Sequence, residues 1–128
     1  MGDLEYRLAW EQVILPVAEE FNPELVLISA GFDACEGDTV GMYSVSPECF
    51  GAMVSGLQNV ARGRQLLLLE GGYNVDQTAL AFASCAEALL GKKISWPEFT
   101  KWDAVKPEAV EAVEKTRQAH RQYWRCFQ

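Results

Sequence analysis

The chain has 128 residues, 49% of them hydrophobic, with 11 basic against 18 acidic residues and a net charge of −7. That length bounds it to one domain at most, and the acidic balance speaks against nucleic acid or an anionic membrane as a partner for a broad basic face. No apolar run approaches the ~18 residues of a membrane span, so the expectation is a soluble protein. Asp3 is placed to cap a first helix, in which Tyr6, Trp10, Val13, Ile14, Val17 and Phe21 recur along one face. Pro16 predicts a kink or one loosened turn inside that helix, and Asn22-Pro23 ends it. The unbroken apolar run Leu25–Ala30 reads as a strand buried on both faces, as in a parallel sheet between helices.

A glycine-containing loop from Gly31 to Val45 follows. Ser46-Pro47 then opens a helix to about Ala61, with Phe50, Val54, Leu57 and Val60 or Ala61 inward and Gly63 as its stop. A second short strand, Gln65–Leu69, leads through Gly71-Gly72-Tyr73 into an alanine-rich helix, roughly Asp76 to Leu90, closed by Gly91. Residues 94–103 look irregular, with Trp96, Phe99 and Trp102 lying across the outside of the core. Pro107 opens a last helix to about Trp124, with Val110, Val113, His120 and Trp124 as a weak apolar stripe. Its basic residues Lys115, Arg117, Arg121 and Arg125 sit favourably toward the helix C-terminus. The order helix–strand–helix–strand–helix–helix is that of an α/β fold, and right-handed crossover makes the two strands parallel neighbours or near neighbours. Sheets covered on both faces need ~4 or more strands, so the expected sheet is incomplete and belongs to a larger α/β domain.

Asp33 follows the first strand and Tyr73 the second, which brings both to the carboxyl edge where open α/β sheets bind ligands. Asp33 either ligates a divalent cation, which offsets the cost of desolvating it, or caps its own turn. Tyr73 either donates its hydroxyl to an oxyanion or packs over the sheet edge. Glu36 and Asp38 read as a solvated acidic loop, and Glu70 as a residue bonding a neighbouring loop. His120 is the only histidine and reads as a half-buried packing residue, too remote for a Ser–His–Asp arrangement near Asp33. No G-x-G-x-x-G loop marks a nucleotide site. Cys35, Cys49, Cys85 and Cys126 form no C-x-x-C pair, which favours a reducing intracellular compartment over a disulfide framework or a zinc knuckle. The N-terminus lacks a signal-peptide pattern, and Tyr6 stands where a myristoylation motif prefers Ser or Thr.

The segments S-A-G-F-D-A (29–34), E-G-D-x-x-G (36–41) and L-E-G-G-Y-N (69–74) resemble the zinc-dependent histone deacetylases. G-D-x-E-Y (2–6) and N-P-E-L-V-L (22–27) match as well, so the resemblance spans nearly the whole chain. Glu70 is similar to the class II branch, and His120 to Arg125 resemble the end of a class IIb domain of the histone deacetylase 6 type. The resemblance implies an arginase-like α/β fold and hydrolysis of N-acetyl-lysine by a zinc-bound water. It implies Asp33 as one of three zinc ligands, Tyr73 as the residue polarising the acetyl carbonyl, and Gly72 in the glycine loop beside the acetyl-lysine tunnel. Class IIa vertebrate enzymes carry histidine in place of that tyrosine, so Tyr73 implies the active type.

Val40 matches a rim position that is leucine in lysine deacetylases and glutamate in a polyamine-selective relative. An apolar side chain there cannot pair with a second ammonium, which favours acetyl-lysine. The family's paired histidines and Asp-x-His segment have no counterpart in this sequence. Residues 1–128 are therefore expected to be the C-terminal portion of a deacetylase catalytic domain, inactive alone and partnered by the N-terminal half. Its substrate would be an acetylated protein (histone, tubulin or another) in the cytoplasm or nucleus. The alternative is a non-catalytic binding or regulatory fragment.

Overall fold

The computed structural model describes residues 1–98 and 105–128, so the expectation for Phe99 and Trp102 lies outside the described residues. The first helix runs without a break as α1 (Asp3–Ala9), a π-helical turn (Trp10–Ile14) and α2 (Leu15–Phe21). The loosened turn predicted from Pro16 is the π turn, where the Leu15 N–H donates to the Trp10 carbonyl. Pro16 has no N–H for the Gln12 carbonyl, and its ring crowds that oxygen, so the wider turn is the local solution. The extra residue shifts the phase of everything after it. Trp10 packs inward as expected, but beyond it Leu15 and Ala18 join the core cluster while Ile14 turns to solvent, and Phe21 ends 68% exposed.

Asp3 does not cap its own helix. The cap residue is Gly2, whose N–H donates to Glu5 Oε2 at 2.6 Å, while Asp3 Oδ1 accepts the Ser46 N–H at 2.7 Å. That bond ties the start of the chain to the entrance of α3 (Pro47–Gly56), where the Ser46 hydroxyl also accepts the Cys49 N–H as its sequence signalled. At its other end α3 stops earlier than expected and continues as a 3-10 stretch, Leu57–Gly63. Gly56 lies so close to Trp10 that a Cβ there would stand 3.1 Å from the indole nitrogen. Ala61, Arg62 and Gly63 then take successive positive φ values of 52°, 57° and 74°, turning the chain sharply into the second strand. Leu57 is buried as expected, and both Val60 and Ala61, of which one or the other was expected inward, are buried as well.

Strands β1 (Val26–Ala30) and β2 (Gln65–Leu69) pair in parallel, Val26 opposite Gln65 through Ala30 opposite Leu69. The expectation of burial on both faces is corrected to one. Val26, Ile28, Ala30 and Leu67 turn toward the helices, whereas Leu27, Leu66 and Leu68 are exposed. The apolar composition of the strands thus exceeds what the described residues cover. In front of the sheet, α3 crosses α4 (Val75–Leu89), with Phe32, Cys35, Val45, Cys49, Phe50, Ala81, Cys85 and Ala88 as the core. Phe32 sits edge-on to Phe50 with ring centroids 5.1 Å apart.

The last helix, α5 (Pro107–His120), buries Ala109 and Val113, while Val110 and His120 are exposed. His120 is exposed rather than half-buried, its ring edge-on to Tyr123 at 6.3 Å, and of the stripe expected from Val110 to Trp124 only Val113 is buried, with Trp124 half-buried against Phe21. The chain turns after His120 because Glu20 captures the backbone of the C-terminal residues. Its carboxylate accepts the N–H groups of Arg125 at 3.0 Å and Cys126 at 2.7 Å, and this seats Phe127 in the protein. Among the described residues, no helix is long and apolar enough to cross a membrane.

Candidate functional site

The parallel ladder continues past the last residues of both strands. The Glu70 N–H donates to the Ala30 carbonyl at 3.0 Å, and the Phe32 N–H donates to the Gly71 carbonyl at 2.8 Å. The two loops therefore leave the sheet side by side. Phe32 points into the core and is fully buried, which leaves the next residue, Asp33, at the rim.

Asp33 is half-buried, and its carboxylate lies directly over Gly71. A methyl on Gly71 would overlap Oδ1 and stand 2.9 Å from Oδ2. Gly41 packs its backbone on the carbonyl of Asp33, so closely that any Cβ would collide with it. Oδ1 of Asp33 is buried without a hydrogen-bond partner among the described residues. A carboxylate oxygen that has lost water and gained no donor is costly unless a cation or proton donor completes it. Asp33 therefore fits one position of a metal site. Among the described residues, no group of three or more His, Cys, Asp or Glu stands ready to hold an ion, and a catalytic zinc takes three protein ligands.

Tyr73 begins two residues beyond Gly71, and its side chain is largely exposed. Gly72 reaches φ +140°, a left-handed value suited to glycine, and a side chain there would collide with Thr78 and come 3.2 Å from the Cβ of Phe32. Asn74 caps α4 by accepting the Gln77 N–H, and its side-chain amide donates to the Glu36 carbonyl at 3.2 Å. Asp33, Gly72 and Tyr73 thus stand on the two adjoining loops that leave the sheet side by side. Val40 stands on the adjoining loop with its side chain mostly in solvent.

Sequence reasoning missed Asp38. It was expected in a solvated acidic loop, and Glu36 is indeed exposed, but Asp38 is only 5% exposed. Its Oδ1 accepts the N–H groups of Val40 at 2.8 Å and Gly41 at 3.0 Å. Its Oδ2 accepts those of Tyr73 at 2.6 Å and Asn74 at 3.2 Å. The Gly41 N–H leads in holding its pKa below the usual 3.8; burial works against it, and the Tyr73, Val40 and Asn74 donors add to it. The signal was half visible: an aspartate two and three residues before N–H donors, with a glycine closing the turn, is an Asx-type arrangement. Glu70 was expected to bond a neighbouring loop. It is exposed, and its backbone N–H is what bonds, to Ala30. The buried thiols supply no nucleophile at the rim, since burial pushes Cys35 up to about 11 and Cys85 to about 12.

Residues 1–89 match the histone deacetylase domain. The chain is 43% identical over 127 residues to histone deacetylase HDA1 of Saccharomyces cerevisiae, covering 99% of this chain and 18% of that protein. It is 42% identical over 132 residues to human histone deacetylase 7, covering 100% of this chain and 14% of that protein. The solved structure of the histone deacetylase Clr3 superposes with a TM-score of 0.90 at 37% identity, over 100% of this chain and 21% of that one. The α/β architecture, with its small parallel sheet, corresponds to an incomplete part of that fold. The chain spans less than a fifth of the length of these curated relatives.

Proposed function

Because this chain belongs to the histone deacetylase domain family, we propose that it forms one side of a zinc-dependent centre that hydrolyses N-acetyl-lysine on proteins. The observation that carries the reading is the orphaned Oδ1 of Asp33, nested against Gly71 two residues before Tyr73. In this reading Asp33 holds the metal, presenting Oδ1, the oxygen that the fold buries without a hydrogen-bond partner among the described residues. Zinc, when bound, lowers the pKa of a water toward ~7 and acts as a Lewis acid on the acetyl carbonyl. Tyr73 donates its hydroxyl to the carbonyl oxygen as that atom gains negative charge. A donor so placed contributes roughly 3–4 kcal/mol of barrier reduction. Gly72, whose Cβ position is already taken by Thr78 and Phe32, lets the backbone turn at φ +140° ahead of Tyr73 and so shapes the loop beside which an extended lysine stem runs. Val40 at the rim offers an apolar side chain and no partner for a second ammonium, which favours acetyl-lysine over acetyl-polyamine.

The remaining ligands and the base come from a partner, the rest of a catalytic domain. The bare apolar sheet face of Leu27, Leu66 and Leu68 supports this, because a surface of that kind is covered in a finished α/β domain. Glu70 and the residues 120–125 support the class II branch and, within it, the histone deacetylase 6 type. Tyr73→Phe in a complete catalytic domain carrying this chain is expected to lower kcat by about 10²–10³ with KM little changed. Unchanged turnover removes Tyr73 from the chemistry. Zinc-dependent turnover by the 128-residue chain alone overturns the requirement for a partner.

A further inference from the structure

We infer that Asp38 is a positioning residue for deacetylation, its carboxylate fixing where Tyr73 stands relative to Asp33. The inference rests on the deacetylase reading and adds a residue which that reading does not contain. Two loops from different strands meet at the rim, and neither is held there by apolar packing of the functional side chains: Tyr73 and Val40 are both exposed. One buried carboxylate joins them. Oδ1 holds the Val40 and Gly41 N–H groups, and Gly41 is the residue packed on the carbonyl of Asp33. Oδ2 holds the Tyr73 N–H at 2.6 Å and the Asn74 N–H at 3.2 Å. A path from the Asp33 backbone to the Tyr73 backbone therefore runs through Gly41 and Asp38 by two hydrogen bonds, Gly41 N–H to Oδ1 and Tyr73 N–H to Oδ2. Bonds from N–H groups to an ionised acceptor are stronger and more directional than neutral ones. Gly72, at φ +140°, gives the chain before Tyr73 its freedom to turn, so the position of Tyr73 needs an anchor of this kind.

The test is a double-mutant cycle in a complete catalytic domain carrying this chain. Asp38→Asn keeps the shape but replaces one acceptor oxygen by a donor facing N–H groups. It is expected to lower kcat by about 10–100-fold while KM stays within about threefold, the scale on which displaced catalytic groups lose rate. In a Tyr73→Phe background, Asp38→Asn is expected to change kcat by less than about threefold, because the group it positions is gone. Gly51→Ala, a destabilising change at the α3–α4 crossing, is the control for loss of stability and leaves kcat at the wild-type value.

Equal losses from Asp38→Asn in both backgrounds, or a lowered Tm with kcat unchanged, overturn the inference while the deacetylase reading stands. A Tyr73→Phe enzyme with full turnover overturns both. Should Asp38→Asn fail to fold, amide hydrogen exchange of the unmutated protein decides. Protected Tyr73 and Asn74 amides support the clamp, and exchange at the rate of open loop refutes it.

Discussion

Gly71→Ala tests whether the Asp33 carboxylate works where it stands. The new methyl would overlap Oδ1 and lie 2.9 Å from Oδ2 and 3.0 Å from Cγ, inside the 3.4 Å at which ordinary contact begins. The backbone on either side is held. The Phe32 N–H donates to the Gly71 carbonyl at 2.8 Å, and Gly41 is packed on the Asp33 carbonyl. The carboxylate is the free end, so it swings about its first side-chain torsion by roughly 1 Å. A displacement of about 1 Å at a reacting centre costs about 10²-fold in rate, or about 2.7 kcal/mol of barrier. Stability should change by no more than about 1 kcal/mol, because φ at position 71 is not positive and the group that must give way is the end of a side chain. Gly31→Ala is the matched control: its methyl meets the same Oδ1 at 3.6 Å and the Gly71 nitrogen at 3.8 Å, both ordinary contacts. The assay is kcat/KM on an acetyl-lysine peptide, with Tm in parallel, in a complete catalytic domain carrying this chain. If the Gly71→Ala enzyme turns over like the Gly31→Ala enzyme, the position of the carboxylate is irrelevant and the metal role of Asp33 fails.

Gly51→Ala places a methyl on Ser84 at the crossing of α3 and α4, 3.0 Å from its Cβ and carbonyl oxygen. The helices must part at a cost of about 1–3 kcal/mol, lowering the urea midpoint without changing the m-value; a wild-type midpoint would contradict the close crossing. Iodoacetamide at pH 8 is expected to modify one thiol per folded chain, Cys126, and four after unfolding, because burial raises Cys35, Cys49 and Cys85 far above that pH. Two or more adducts on the folded chain would refute the buried cluster. Asp38 is held below its ordinary 3.8 by its four N–H donors, the Gly41 N–H foremost. For Glu5, burial works to raise the pKa, but the N–H groups of Gly2 and Lys106 outweigh it and hold it below 4.5. A depressed folded-state pKa contributes stability above the unfolded value and loses it as pH falls through the folded one. Urea midpoints should therefore be level between about pH 5 and 8 and decline below that range, and Glu5→Gln should flatten the acid decline; an unaltered slope would exclude Glu5 as a source.

One physical division separates the features the sequence disclosed from those it hid. Short-range features were legible: Ser46-Pro47 opens a helix, Gln65–Leu69 is a strand, and Pro16 loosens a turn, because each depends on neighbours within a turn or two. Even there, Pro16 announced the disturbance but not its consequence, since a wider turn changes which later residues face inward. Long-range bonds left no trace in composition. Asp3 and Ser46 are 43 residues apart, and Asp38 and Tyr73 are 35 apart. An aspartate that will be buried by distant N–H groups is spelled like one that will stay in water. The same division explains why E-G-D-x-x-G and L-E-G-G-Y-N first read as two motifs. Each supplies half of a single object, in which Asp38 of the first grips the backbone of the second. The glycines answer to that grip, because at Gly41 and Gly71 the space a side chain would fill is already taken by Asp33. A site built from carboxylates on backbone N–H groups, with its clearances set by missing side chains, writes itself into sequence as acids and glycines. Composition reads those letters as loop, and only the meeting of the two strand ends makes them a site.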